Sequence, residues 1–344
     1  MGCFACIPGI AHFNWEKERE VPDNTFSGVF TVVPTPLDKN ENLDQSGLDH
    51  LIEFYIDSGC HGLLILGSGG EFPYFSYREK ARIVETAITA TKGRVPLLVG
   101  VGFHGSSESL EFIREIGEKK IDGLLVITPT FYPLIFSDVY SFYVSVCQQS
   151  KKPVLFYNYP QNTGLYFSTR EVVSFLSIEG MAGIKDTILN FNEIEKHIKL
   201  TRHRDIAVFS GNSLVLKKVI EMGGKGVIAV IPSVAPKLVV SCYNACLDGN
   251  HKEAEQLQDK ILNLIPLLNS LTMSRSLQKH LFKVVSSLPV PMKKRSASRA
   301  AVVKETLRQL GHPIRSRVKS PQPQIRDNEK EAIRLLLNQY DYLK

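Results

Sequence analysis

From Phe26 onward the chain repeats one pattern: a short, β-branched apolar run closed by Gly, Pro, Ser or Thr, then a longer segment with its apolar residues at helical spacing. The runs fall at 28–33, 62–66, 95–101, 123–128, 153–157, 181–185, 206–210 and 226–231. They are short and continuously apolar, as strands covered on both faces should be. Between them, Leu48-Leu51-Ile52-Tyr55-Ile56 and Ala81-Val84-Ala87-Ile88 predict amphipathic helices. Asp44 and Ser76 stand where N-caps belong, and Glu79, three residues after Ser76, completes a capping box.

The ends of the eight runs are about 28 residues apart on average, the length of one strand-loop-helix-loop unit, and eight such units close a (β/α)8 TIM barrel. A doubly wound open sheet is the main competitor, but it needs a switch point and commonly has fewer strands. Beyond the eighth run the pattern is helical, at 236–248, at 252–271 (Ala254, Leu257, Ile261, Leu264, Ile265), and at 276–287, 300–310 and 327–343. One or two of these finish a barrel. The surplus is expected to form a C-terminal helical annex, its last helix set off by the Pro321-Gln322-Pro323 turn. The expected organisation is a disordered extension over 1–25, a barrel over 26–235 and a helical region over 236–344.

With 344 residues, 43% hydrophobic and 22% charged, at a mean hydropathy of −0.05, the chain is neither a disordered tail, a disulfide scaffold nor a collagen-like rod. The net charge of +6 is concentrated: residues 290–319 hold nine basic residues against Glu305, a net +8, which leaves −2 for the rest. A uniformly basic, nucleic-acid-binding face is therefore not expected. The stretch from Lys293 to Arg299 has no interleaved aromatics and reads as a solvated loop. Six cysteines without zinc-ligand spacing or a secretory signal predict reduced thiols in a cytoplasmic protein, with Cys242 and Cys246 as small core residues one helical turn apart. Met1-Gly2-Cys3 resembles an acylation start, but Cys6 stands where Ser or Thr is wanted. No apolar run approaches the roughly 18 residues of a membrane span.

In a barrel of this type the chemistry lies at the C-terminal strand ends. Those ends are Gly67-Ser68-Gly69-Gly70-Glu71, Thr128-Pro129-Thr130-Phe131-Tyr132, Tyr157-Asn158, Lys185-Asp186 and Ser210-Gly211-Asn212. Lys185 follows Met181-Ala182-Gly183-Ile184 inside a buried strand. It either pairs with an acid such as Asp186 or loses its proton and becomes an amine nucleophile toward carbonyls. Strand alternation, which turns Asp186 to the other face, favours the nucleophile. Tyr157 ends the neighbouring strand and is either a core-capping aromatic or an acid/base beside the lysine. The glycine loop offers backbone N–H groups and the Ser68 hydroxyl to a carboxylate, and its spacing is not that of a nucleotide P-loop.

Gly67-Ser68-Gly69-Gly70-Glu71, Thr128-Pro129, Tyr157-Asn158-Tyr159-Pro160, Gly183-Ile184-Lys185-Asp186, Gly223-Gly224-Lys225-Gly226-Val227-Ile228 and Ser320-Pro321-Gln322-Pro323 together resemble the motifs of the dihydrodipicolinate synthase / N-acetylneuraminate lyase family. The resemblance implies a homo-oligomeric barrel, a tetramer or dimer, that binds pyruvate or another 2-oxo acid as a Schiff base without metal or organic cofactor. It implies Lys185 as the Schiff-base lysine, Tyr157 as acid/base, and Ser68 with the Gly69 amide as the carboxylate site. Gly70, Thr128, Phe131, Tyr132, Asn162, Gly211 and Ile228 complete the expected substrate-binding set.

Departures from the family pattern bear on the reaction. Dihydrodipicolinate synthases usually carry Thr-Thr in the glycine motif, a relay tyrosine after the fourth strand and an arginine soon after the Tyr-Asn-x-Pro motif. Here Ser68-Gly69, Phe131 and Asn162 occupy those places. An amide cannot replace a bidentate guanidinium clamp. Gly-Ser-x-Gly-Glu-Phe-Pro and Pro-x-Asn-Thr-Gly are closer to 4-hydroxy-2-oxoglutarate aldolase, and Phe131-Tyr132-Pro133 is similar to N-acetylneuraminate lyase. The expectation is a class I pyruvate aldolase or lyase. The alternatives are the synthase itself and a non-catalytic pyruvate-binding barrel.

Overall fold

The computed structural model describes residues 26–188, 190–269 and 298–343. The expected extension, the helix at 276–287 and the basic residues 293–295 lie outside these. Eight parallel strands close a barrel in sequence order: β1 (Gly28–Val32), β2 (Gly62–Ile65), β3 (Leu97–Val101), β4 (Gly123–Ile127), β5 (Val154–Asn158), β6 (Met181–Asp186), β7 (Ala207–Ser210) and β8 (Gly226–Ala229). Each apolar run read from the sequence coincides with one of them, β5 and β6 running one residue further, to Asn158 and Asp186. β8 returns to pair with β1, so the sheet has no switch point.

That closure depends on glycine. Gly226 sits at φ +151 opposite Gly28, and a Cβ on it would lie 1.9 Å from the Gly28 carbonyl oxygen. Inside the barrel Phe30, Val32, Leu64, Leu98, Leu125, Leu155, Phe209 and Ile228 form one packed cluster, a filled core rather than a pore. A larger cluster lies between the strands and the surrounding helices. The helix Gln45–Asp57 is capped by Asp44, which accepts from the Gly47 N–H, and Tyr77–Thr91 starts with the Ser76/Glu79 capping box.

The C-terminal region departs from expectation in two ways. The single helix anticipated at 252–271 is two, His251–Leu262 and Ile265–Asn269. Pro266 explains the break, since proline is tolerated in a first turn but not in a helix interior. The helix Arg299–Gln309 is not a peripheral annex. Every residue from Ala300 to Leu307 is buried, and the helix packs on the turn after β2 and on Ile231–Val234 after β8. A helix buried on all sides is an internal element. Cys242 is buried, with its thiol on the Ala254 carbonyl at 3.6 Å, and Cys246 is partly so. Among the described residues no helix is long and apolar enough to cross a membrane.

Candidate active site

In-register pairing carries Ile127 to Tyr157, Tyr157 to Lys185 and Lys185 to Phe209 across β4 to β7. Paired residues share a face, and this row faces the barrel interior with the Phe209 and Tyr157 side chains of the inner cluster. Lys185 is 3% exposed, and its Nζ stands 4.2 Å from the centre of the Tyr157 ring. Among the described residues it makes no hydrogen bond or ion pair. Burial brings its pKa down to about 7. A large share of the amine is then unprotonated at neutral pH, as a nucleophile requires.

Asp186 resolves the alternative left open by the sequence. It points outward, where Oδ2 lies 3.0 Å from His197 Nδ1 and Oδ1 accepts from Asn158 Nδ2 and the Ile188 N–H, both at 3.1 Å. Lys185 therefore has no claim on it. His197 was not foreseen, because a lone histidine on the helix Phe191–Thr201 carries no motif.

The Tyr157 hydroxyl is 3.1 Å from Ser68 Oγ. Burial raises the phenol pKa most, followed by the neighbouring Tyr159, while the Ser68 hydrogen bond and the positive charge of Arg299 act in the opposite direction. The phenol stays protonated and can donate. Ser68–Gly70 is a 3₁₀ turn bracketed by two left-handed residues, Leu66 at φ 52 and Glu71 at φ 64. Each such non-glycine residue costs about 1–2 kcal/mol, strain that packing must offset. The turn uses the N–H groups of Gly70 and Glu71 internally, bonded to Gly67 and Ser68 carbonyls. Among the described residues those of Ser68 and Gly69 are unbonded. A narrow cavity lies between this turn, Gly100, Val101, Leu125, Ile127 and Tyr157.

What holds the turn comes from the far end of the chain. The buried Glu71 carboxylate forms an ion pair with buried Lys304 at 2.5 Å and accepts from the Lys319 N–H at 2.8 Å and Gln322 Nε2 at 2.6 Å. Lys304 also donates to the Arg317 carbonyl at 2.7 Å. Nearby, Lys319 meets Glu79 at 2.6 Å and Arg317 meets Glu41 at 3.0 Å. Much of the basic excess of the C-terminal region is thus matched to acids, two of which belong to the glycine turn and the helix after it.

The other expected residues are placed unevenly. Thr128 is buried just beyond β4, Ile228 lies in the inner core, and the Gly211 N–H donates to the Asp186 carbonyl at 2.6 Å. The Gly70 N–H is spent within the turn, on the Gly67 carbonyl, and is not free for a ligand. Phe131 and Tyr132 are 68% and 72% exposed and pack edge-to-face on each other, and Asn162 is exposed on the short helix Pro160–Thr163. None of these three makes a hydrogen bond or ring contact with Lys185 or Tyr157.

Comparison with known proteins identifies the family and the fold. The model of the dihydrodipicolinate synthetase family matches residues 25–285. A 4-hydroxy-tetrahydrodipicolinate synthase from Kosmotoga olearia is 30% identical over 294 residues, 83% of this chain and 99% of its own length. Another from Methanospirillum hungatei is 29% identical over 92% of this chain and 100% of its own. Among solved structures, the Escherichia coli K12 prophage protein YagE in complex with pyruvate superposes with a TM-score of 0.79 at 26% identity, covering 91% of this chain and 98% of that one. A sialic acid aldolase from Ruminococcus gnavus, solved as a catalytic lysine mutant, shares the fold with a TM-score of 0.78 at 17% identity, over 93% of this chain and 98% of its own. On the fold, the inward lysine and tyrosine and the family match, the chain belongs to the dihydrodipicolinate synthetase family of pyruvate-dependent aldolases and lyases.

Proposed function

We propose that the chain is a class I aldolase or lyase that cleaves or forms a C–C bond between pyruvate and an aldehyde or oxo acid through an imine on Lys185. The observation that carries this reading is the buried Lys185 amine, without a hydrogen bond or ion pair among the described residues, facing the Tyr157 ring in a barrel interior. The neutral amine adds to the C2 ketone of a 4-hydroxy-2-oxo acid. Tyr157 donates a proton to the carbinolamine oxygen, which leaves as water and gives the iminium. Its phenolate oxygen then takes the proton of the C4 hydroxyl. The C3–C4 electron pair moves into the iminium, the aldehyde departs, and the remaining enamine is protonated and hydrolysed to pyruvate and free Lys185. In this reading Ser68 Oγ and the N–H groups of Ser68 and Gly69, unbonded among the described residues, hold the C1 carboxylate, a role supported by the Ser68–Tyr157 hydrogen bond. The sequence of steps calls on no metal or organic cofactor. A homodimer or homotetramer belongs to the same reading.

Cleavage of a 4-hydroxy-2-oxo acid is favoured over the synthase reaction because Asn162 supplies no cation, Phe131 supplies no hydroxyl, and Ser68 is the hydroxyl that reaches Tyr157. The synthase is the second reading, supported by the names of the relatives that are about 30% identical. Pyruvate release from 4-hydroxy-2-oxoglutarate and from N-acetylneuraminate, compared with pyruvate consumption in the presence of aspartate semialdehyde, separates the two. Faster release supports the aldolase. Faster condensation with the semialdehyde establishes the synthase instead, and pyruvate binding with turnover of neither leaves a non-catalytic barrel.

A further inference from the structure

β5 and β6 do not keep one register along their length. Val154 pairs with Met181 but Leu155 with Gly183, so Ala182 is left over between the two pairs. A one-residue shift turns every later side chain to the opposite face. Continued from Val154 and Met181, the pairing would set Ile184 against Tyr157 and turn Lys185 out of the barrel. After the shift Lys185 pairs with Tyr157 and its amine lies over that ring. The site therefore depends on what holds the shifted register at the ends of these two strands.

A buried chain of side chains stands at those ends. Asn158 and Asp186 directly follow Tyr157 and Lys185, form the last pair of the ladder, and turn to the outer face. Asn158 Nδ2 donates to Asp186 Oδ1 at 3.1 Å, and Asp186 Oδ2 lies 3.0 Å from Nδ1 of His197 on the helix Phe191–Thr201. All three residues are buried. A carboxylate only accepts, so His197 donates through Nδ1. Its Nε2 is buried with no hydrogen-bond partner among the described residues, so the ring acts through one nitrogen, at a cost that an apolar residue there would not carry.

We propose that His197 is a positioning residue for the Lys185 chemistry: through Asp186 and Asn158 it ties the ends of β6 and β5 to the helix outside them and so keeps the amine against the Tyr157 ring. The proposal rests on the imine reading and adds to it a residue that touches no substrate.

The test is exchange of the pyruvate methyl protons with deuterium from solvent, followed by proton NMR. It needs only the imine and its enamine: a proton leaves C3 as the electron pair enters the iminium, and a deuteron returns. Rates are divided by the number of sites that borohydride traps with pyruvate, so that a loss of folded protein does not enter. His197→Asn places an amide nitrogen where Nδ1 stands, and His197→Gln places one where Nε2 stands. The asparagine variant should exchange at close to the parent rate per site, and the glutamine variant roughly tenfold to a hundredfold more slowly, the loss that a misplaced reacting group brings. Asn158→Leu, which removes the rung and leaves His197 in place, should slow with His197→Gln and carries the comparison if that variant does not fold. The half-saturating pyruvate concentration should change little, because the proposed carboxylate site follows β2, outside the clamp. Equal rates per site in the two histidine variants, or a parent rate in Asn158→Leu, overturns the proposal. A parent protein that traps no pyruvate removes the imine reading and this role with it, whereas a parent that traps it while the variants exchange alike removes the role alone.

Discussion

Replacing Lys185 by Met should abolish imine chemistry and make the protein more stable. In the unfolded chain the amine titrates at its ordinary 10.5, and in the barrel at about 7. Between those values the unfolded state holds more protons than the folded one, so stability rises with pH through the window from about 7 to 10.5. Below it the full cost of protonating or neutralising a buried amine is borne, and above it none. Each pKa unit is worth about 1.4 kcal/mol, so the burden is about 4 kcal/mol at pH 7.5 and about 1 kcal/mol at pH 10. Methionine keeps an unbranched chain of similar length and carries no proton. Urea denaturation of Lys185→Met and the parent at both pH values should therefore show a gain of about 4 kcal/mol at pH 7.5 that shrinks to about 1 kcal/mol at pH 10. A variant no more stable than the parent, or a gain equal at both pH values, refutes the claim that a desolvated, unpaired amine sits in the barrel.

Other changes separate the roles of the neighbouring groups. Tyr157→Phe keeps the ring beside Lys185 but removes the hydroxyl bonded to Ser68, so pyruvate should still be trapped on Lys185 while kcat falls about 10²- to 10⁴-fold; an unchanged kcat would contradict an acid/base role. Lys304→Met strands the Glu71 carboxylate in the interior and should cost about 3–5 kcal/mol in urea denaturation. Adding Glu71→Gln, whose amide oxygen can still accept from Lys319 and Gln322, should recover much of that loss, and strictly additive losses would show that the two residues do not form a pair.

The barrel was legible because its strands are covered on both faces and read as unbroken apolar runs, each closed by a turn residue. Lys185 was legible for the converse reason: an ammonium at the end of such a run conflicts with its surroundings, and the conflict marks the chemistry. Strand alternation was enough to turn Asp186 away from it, although nothing local announced that His197 would receive the carboxylate. The glycine turn was seen as a set of donors, but not that Gly70 and Glu71 spend their own N–H groups closing it. Least legible was the C-terminal helix. Its composition, mixing Arg299, Lys304, Glu305 and Arg308 with alanine and valine, reads as a solvated surface. The ion pair between Lys304 and Glu71 joins residues far apart in sequence, and no periodicity encodes such a contact. A buried acid in the glycine motif was the available signal, since a carboxylate there needs a cation from somewhere.

The most direct test of the central claim is reduction with borohydride in the presence of pyruvate, followed by peptide mass spectrometry across a pH series. The account predicts a lactyl-sized mass increment on Lys185, with a trapping rate that rises with pH through about 7 as the amine loses its proton. An unmodified Lys185, or an adduct on another lysine, would contradict it.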